Sequence, residues 1–224
     1  MSETKTKLWY LAQVNLFRDL PEDILTQIAE TSHMKSFEKG RYISTPHDEG
    51  ERIYFLKEGE VEVYESTDEG KKMIIDILKP GDIFGYESIA SDSGAAVREQ
   101  FIKANKDVVL CIMPKSDFLA LLEKKPGLAL RMIQDLSTRL SATESRLRDT
   151  AFSNSDTRVL QELERLYTQY GKEQDGRRVL TRKFTHEELA NLVGTTRETV
   201  TRTLSRLEKE GKIFVDEQGY VILI

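Results

Sequence analysis

The sequence predicts an α+β protein in two folded parts, short antiparallel strands first and helices with a terminal hairpin last, and three observations carry that prediction. Between about Lys39 and Met113, short alternating or apolar runs are punctuated by Gly40, Gly59, Gly70, Gly81 and Gly85, as in strands joined by tight turns. From about Ser116 the apolar spacing changes to steps of three and four, the period of a helix. Near the end, two capped helical patterns stand close together across Gly194, the spacing of a helix-turn-helix.

Taken in order, "DLPEDILTQIAE" places Pro21 at a helix start, with Ile24 and Ile28 on one face, so a short helix leads into the strands. The runs "RIYFLKEG", "EVEVYES", "KKMIIDILKPG" and "DVVLCIM" follow, and strands at that spacing suggest a barrel or sandwich. "STDEGKK" supplies a hairpin turn, and "KPGD" a turn at Pro80 and Gly81. After the short helix of "DFLALLEKK", Pro126 and Gly127 mark the start of a longer one. Along it Ile133, Leu136, Leu140, Thr143, Leu147 and Thr150 fall on one seam. Two readings of that seam stand: contact with a second copy in a coiled coil, or one amphipathic helix packed on its own domain. "RDTAFSNSDTR" reads as a hinge, and "RVLQELERLYTQY" as an amphipathic helix through Val159, Leu160, Leu163, Leu166 and Tyr167 that opens a second domain. The expected division is residues 1–115, a β domain; 116–150, the long helix and hinge; and 151–224, the helix-turn-helix domain.

Composition narrows the function classes. The 224 residues are 39% hydrophobic and 32% charged, enough for two modest cores. No stretch approaches the roughly 18 to 20 apolar residues of a membrane span, and the start lacks the features of a secretory signal, so a cytoplasmic protein without a membrane partner is expected. The single cysteine, Cys111, lies in an apolar run and reads as core; one thiol excludes an internal disulfide or a four-thiolate iron-sulfur cluster within the chain. There is no Gly-x-x-x-x-Gly-Lys loop, no His-Glu-x-x-His pair and no nucleophile motif, so an enzyme is not expected. The net charge is −5, yet residues 176–212 hold nine Lys/Arg against five acids, a surplus of +4 that leaves −9 for the rest. The basic surplus sits where the helix-turn-helix is predicted.

In "FTHEELANLVGTTRETVTRTLSRLEKEG", Thr185 and Glu188 have capping-box spacing and Gly194 ends the first helix. Thr195 or Thr196 caps the second, whose stripe of Val200, Leu204 and Leu207 is buried. Arg197, Glu198, Thr201, Arg202 and Ser205 then face outward. Arginine donates twice to guanine O6 and N7, and glutamate accepts from cytosine N4, so this face suits the major groove. If Thr195 is the cap, Glu198 is consumed in a capping box; if Thr196 is, Glu198 is free. "KIFVDEQGYVILI" reads as a small hairpin, or wing.

Here the sequence resembles the CRP/FNR superfamily of bacterial transcription regulators, over nearly the whole chain. The most specific match is "LANLVGTTRETVTRTLSRLEKEGKI", supported by the "KPGDIFG" turn. The resemblance implies a β-roll of the cyclic-nucleotide-binding type, a long dimerisation helix through Ile133, Leu136, Leu140, Thr143 and Leu147, and a winged helix-turn-helix. It implies a homodimer on double-stranded DNA, with RNA polymerase as partner and TGTGA-like half-sites in an inverted repeat, whose symmetry matches two recognition helices about 34 Å apart. Arg197, Glu198 and Arg202 would read bases. Thr185, Thr195, Thr196, Thr201, Ser205, Arg206 and Lys212 would meet the DNA backbone.

The departures fall in the implied effector pocket, Tyr86, Glu87, Ser88, Arg98, Glu99 and Gln100, within "FGYESIASDSGAAVREQFIKA". Arg98 is present. Tyr86 stands where cAMP-binding members hold the ribose with glutamate, although a register shift would bring Glu87 there, and Glu99 stands where they bind the phosphate with Ser or Thr. A carboxylate about 4 Å from a phosphate repels it by roughly 4 kcal/mol at an effective dielectric near 20, close to a thousandfold in affinity. cAMP is therefore disfavoured, and Glu99 paired with Arg98 or a lysine would leave a protein able to bind DNA without a ligand. "GYESI" is closer to the oxygen-sensing branch, whose cluster a single cysteine excludes. Haem is the remaining cofactor expectation, with His33, His47 and His186 as axial candidates and Met34 beside the first.

Overall fold

The computed structural model describes residues 8, 10–12, 14–18, 20–46, 48, 51–86, 89, 100–216 and 219–224. The chain divides into two compact units, residues 1–71 with 75–139, and residues 72–74 with 140–224. Among the described residues no helix is long and apolar enough to cross a membrane.

In the first unit, a 3-10 turn (Asn15–Phe17) precedes helix α1 (Glu22–Thr31), which opens directly after Pro21. Eight strands follow: β1 (His33–Phe37), β2 (Tyr42–Ser44), β3 (Arg52–Glu58), β4 (Val61–Ser66), β5 (Lys72–Leu78), β6 (Ile83–Phe84), β7 (Gln100–Ala104) and β8 (Val108–Pro114). They form two four-stranded sheets, ordered β1-β8-β3-β6 and β2-β7-β4-β5. Helices α2 (Lys115–Lys124) and α3 (Pro126–Phe152) come next; residues 72–74 of β5 and 140–152 of α3 are counted in the second unit.

The strand β3 shows why its sequence reads as a nearly continuous apolar run. Tyr54 and Leu56 enter the core shared with Val61, Val63 and Ile102 of the other sheet. Ile53 and Phe55, one residue out of phase, enter a second core with Phe17, Ile28, Phe118 and Leu128 from the helical segments. Alternate side chains leave opposite faces of a strand, so a sheet covered on both faces loses the polar half of the alternation. Cys111 lies in the second core, fully buried, as expected. The β3–β4 turn depends on Gly59, at φ +90°, where a Cβ would fall 2.1 Å from the Asp107 carbonyl oxygen. Only glycine fits such a close approach.

The first strand corrects the expected start of the sheet region near Lys39. "HMKSF" is mostly exposed and lacks an apolar alternation; it is a strand because it pairs antiparallel with β8, His33 opposite Ile112 through Phe37 opposite Val108.

The second unit contains helix α4 (Ser155–Tyr170), strands β9 (Gly171–Gln174) and β10 (Arg177–Leu180), helices α5 (His186–Val193) and α6 (Arg197–Lys209), and strands β11 (Ile213–Val215) and β12 (Val221–Leu223). Its sheet runs β11-β12-β10-β9, so the terminal hairpin is continued by β9 and β10, a second hairpin turning at Asp175 and Gly176. That hairpin was not among the sequence expectations.

The expected hinge is also shorter. Helix α3 continues to Phe152, and α4 begins at Ser155, where the Asn154 side chain accepts a bond from Thr157 N at 2.9 Å. Across this two-residue break the helices are tied together. Glu162, 2% exposed, accepts from Arg146 at 3.2 Å and Arg165 at 3.1 Å, Arg165 also pairs with Asp149, and Gln161 donates to Asp149 at 3.0 Å. A buried carboxylate held by two guanidiniums restrains an elbow that small polar residues alone would leave loose.

Candidate nucleic-acid interface

The helix-turn-helix is built by local chemistry. Thr185 Oγ1 accepts from Glu188 N at 3.1 Å, and the Glu188 carboxylate accepts from Thr185 N at 2.8 Å, closing the expected capping box. Helix α5 ends at Gly194 in the left-handed conformation, φ +70° and ψ 49°, which a glycine adopts without steric cost. Thr196 is then the N-cap of α6, its Oγ1 accepting from Thr199 N at 3.2 Å. Leu189, Ala190, Leu192 and Val193 of α5 and Val200, Thr203, Leu204 and Leu207 of α6 are buried.

This cap decides between the two readings of Glu198. With Thr196 as cap, Glu198 lies in the first turn and outside any capping box. Arg197, Glu198, Thr201, Arg202 and Ser205 are all exposed. Among the described residues, Arg197, Glu198 and Arg202 make no ion pair, and two cations and one anion project from the first two turns, Arg202 near enough to Asp156 to help lower its carboxyl.

The other residues expected near DNA are more constrained. The Thr185 and Thr196 hydroxyls are used in helix caps. Thr195 is half-buried, its N–H bonded to Ala190 O, and the Ser205 side chain is exposed. Arg206 pairs with Asp156 at 2.6 Å and Glu210 at 3.4 Å, and Lys212 with Glu210 at 2.8 Å. Asp156 also accepts from the buried Thr203 hydroxyl; that bond, with Arg206 beside it, holds its carboxyl below the ordinary carboxylate range. Arg182, counted in the basic surplus, lies over the Phe184 ring at 4.1 Å and pairs with Glu188 at 2.9 Å. Much of the surplus thus stabilises the domain, while Arg197 and Arg202 remain outward.

In the first unit, the expected effector residues are only partly described. Glu87, Ser88, Arg98 and Glu99 lie outside the described residues, as does His47. Gln100 begins β7. The Tyr86 hydroxyl accepts from Arg139 at 3.3 Å, and the guanidinium lies 5.6 Å from its ring centroid. Arg139 also meets Asp135 at 2.9 Å and Asp76 at 3.9 Å. This cluster borders a cleft of about 470 Å³ that Asp82, Phe118, Arg131 and Leu136 help to line. Burial raises the Asp82 carboxyl, with a backbone bond from Lys79 opposing the rise. Leu136 is therefore half-buried, whereas Ile133, Leu140, Thr143 and Leu147 of the predicted seam are exposed. His33 is exposed on β1 with Met34 half-buried beside it, and His186 Nδ1 lies 2.7 Å from Thr201 Oγ1.

Comparison with known proteins places these parts. Residues 34–125 match the cyclic nucleotide-binding domain model and residues 157–224 the Crp-like helix-turn-helix model. A solved transcriptional regulator of the CRP/FNR family from Thermus thermophilus is 30% identical, with 86% of this chain and 93% of that one covered and a TM-score of 0.64. The chain belongs to the CRP/FNR family. A CRP-like cAMP-activated global transcriptional regulator of Mycobacterium tuberculosis is 25% identical over 95% of this chain and 93% of the relative. A CooA mutant from Carboxydothermus hydrogenoformans shares the fold at a TM-score of 0.78 and 22% identity, covering 95% of this chain and 90% of that one. This CRP/FNR chain is thus a transcription regulator with a helix-turn-helix for DNA. The Tyr86–Arg139 contact and the His186–Thr201 bond escaped the sequence reading, because each joins residues that no local pattern brings together.

Proposed function

We propose that the protein is a homodimeric, cytoplasmic transcription regulator, with no enzymatic role, that reads an inverted repeat of TGTGA-like half-sites and is competent for DNA without cAMP. The observation that carries base reading is the exposed trio Arg197, Glu198 and Arg202, which makes no ion pair among the described residues, on a helix capped at Thr196. Two guanines and a cytosine are the partners such a trio matches. Support for a dimer comes from α3, where Leu130, Ile133, Leu140 and Leu147 are each more than half exposed, an apolar stripe that a second copy of the helix would cover. RNA polymerase is the partner implied by the family.

Independence from cAMP is supported by Tyr86, which stands where the resemblance places the ribose-binding glutamate and whose hydroxyl is bonded to Arg139. Glu99, by its chemistry, opposes a phosphate. Fluorescence anisotropy of a labelled TGTGA-type inverted repeat, at one fixed salt concentration with and without cAMP, tests the proposal. Tight binding without cAMP is expected. Binding only with cAMP would overturn the ligand-independent part, and no preference for the repeat over scrambled DNA would overturn the base-reading part.

A further inference from the structure

Arg206 stands one turn beyond Arg202 on α6, and its guanidinium meets two carboxylates, Asp156 at 2.6 Å and Glu210 at 3.4 Å. The two are not equivalent. Glu210 lies four residues on along the same helix, with a side chain 40% exposed, and it also meets Lys212 at 2.8 Å. An exposed pair of that kind yields readily to a competing anion. Asp156 comes instead from the first turn of α4. Its side chain is 24% exposed, and its other oxygen accepts from the hydroxyl of Thr203, a residue with no solvent exposure. A carboxylate tethered through one oxygen to a buried donor cannot swing away, so its second oxygen stays on Arg206. For the guanidinium, it occupies the place that a phosphate oxygen would take.

We infer that Asp156 is a fixed internal competitor for DNA phosphate, which holds Arg206 out of the backbone contacts of α6 and so lowers the affinity for DNA of any sequence. Phosphate contacts supply essentially all of the binding that ignores sequence. Withholding one of them leaves a larger share of the binding to the base-facing turns of the helix. This inference rests on the proposal that α6 enters DNA, and it assigns Asp156 a positioning role, exerted through Arg206.

The test is a double-mutant cycle of Asp156→Asn and Arg206→Ala, read by anisotropy over a series of salt concentrations. Two duplexes are used, one of random sequence and one selected by the wild-type protein from a random pool. Asparagine keeps an oxygen for the Thr203 hydroxyl, and urea midpoints check that each variant folds; Asp156→Ser, also neutral, serves if the asparagine variant does not. Asp156→Asn should tighten binding to both duplexes by roughly eightfold per freed arginine at about 0.1 M salt, and should steepen the slope of log K against log salt by about 0.9 per arginine, the release of about one counterion. Base preference should stay the same. Arg206→Ala should then weaken binding by roughly that eightfold in the Asp156→Asn background and by only a small part of it in the wild type. An equal loss in both backgrounds would show that Asp156 acts by its charge alone and would overturn the inference. So would an Asp156→Asn variant that folds and binds with the wild-type affinity and salt slope. Failure of the wild type to select any sequence would overturn base reading instead, while the cycle on the random duplex still decides the role of Asp156.

Discussion

Arginines in the two halves of the second unit are used in opposite ways. At the junction of α3 and α4, Arg146 and Arg165 close on the buried Glu162, and Arg165 also holds Asp149. On α6, Arg197 and Arg202 stand exposed without an ion pair among the described residues. A guanidinium surrounded by carboxylates has little left to offer a ligand, whereas one held on a rigid helix without a partner keeps its fork of donors available. The difference separates charge that builds the domain from charge that recognises something outside it, a separation that a count of basic residues cannot make.

The most disruptive way to probe the building half is Glu162→Ala. It leaves two arginines facing each other without their shared carboxylate and should lower unfolding free energy by about 2 to 3 kcal/mol, toward the low end for a broken buried pair because both arginines keep some solvent contact. Urea denaturation reads the loss, and the base preference of the protein that remains folded should not change. Arg202→Ala probes the other half. Urea midpoints should stay in place, while binding to the specific site weakens by about 1 to 3 kcal/mol and discrimination relaxes at a single base pair. If Arg202→Ala instead destabilises the fold, the contrast between the two sets of arginines collapses.

Two smaller effects sharpen it. Tyr86→Phe removes the hydroxyl from Arg139 but keeps the ring beneath it, and should cost about 0.5 to 1 kcal/mol of stability, read by thermal or urea unfolding, since Asp135 and Asp76 still hold the guanidinium. The Asp156 carboxyl, lowered by its bond from Thr203 and by Arg206, contributes stability that is present above its unfolded value of 3.8 and lost as pH falls through the lower folded value. Acid unfolding of the second unit should therefore include a component at the lower edge of the carboxylate range, and Asp156→Asn should remove it.

What could be read from the sequence divides along physical lines. The helix-turn-helix was legible because its signals are local: a threonine and glutamate at capping-box spacing, then a glycine, then another capping threonine. Which threonine capped α6 was not, since both residues carry the same chemistry and only the backbone angle at Thr196 decides. The hairpin of β9 and β10 is not legible in the sequence although Asp175 and Gly176 are strong turn residues, because "GKEQ" and "RRVL" lack an apolar alternation. Their strand character comes from continuing a sheet already built by β11 and β12. Leu136 belonged to a sensible helical seam, yet it turns toward the cleft beside Arg139, since one helix can bury residues on more than one face. Arg206 looked like a phosphate contact, and only the fold brings Asp156 to it.

Cys111 is enclosed between the strands and helices of the first unit with no solvent exposure. A thiol without access to solvent reacts slowly with alkylating reagents as long as the fold holds. The native chain can therefore carry a single engineered reporter without first being stripped of its own cysteine. A Ser205→Cys variant labelled with a maleimide dye would place that reporter on the exposed face of α6, where its emission would follow contact with DNA directly, while any labelling of Cys111 would report unfolding of the other unit in the same tube.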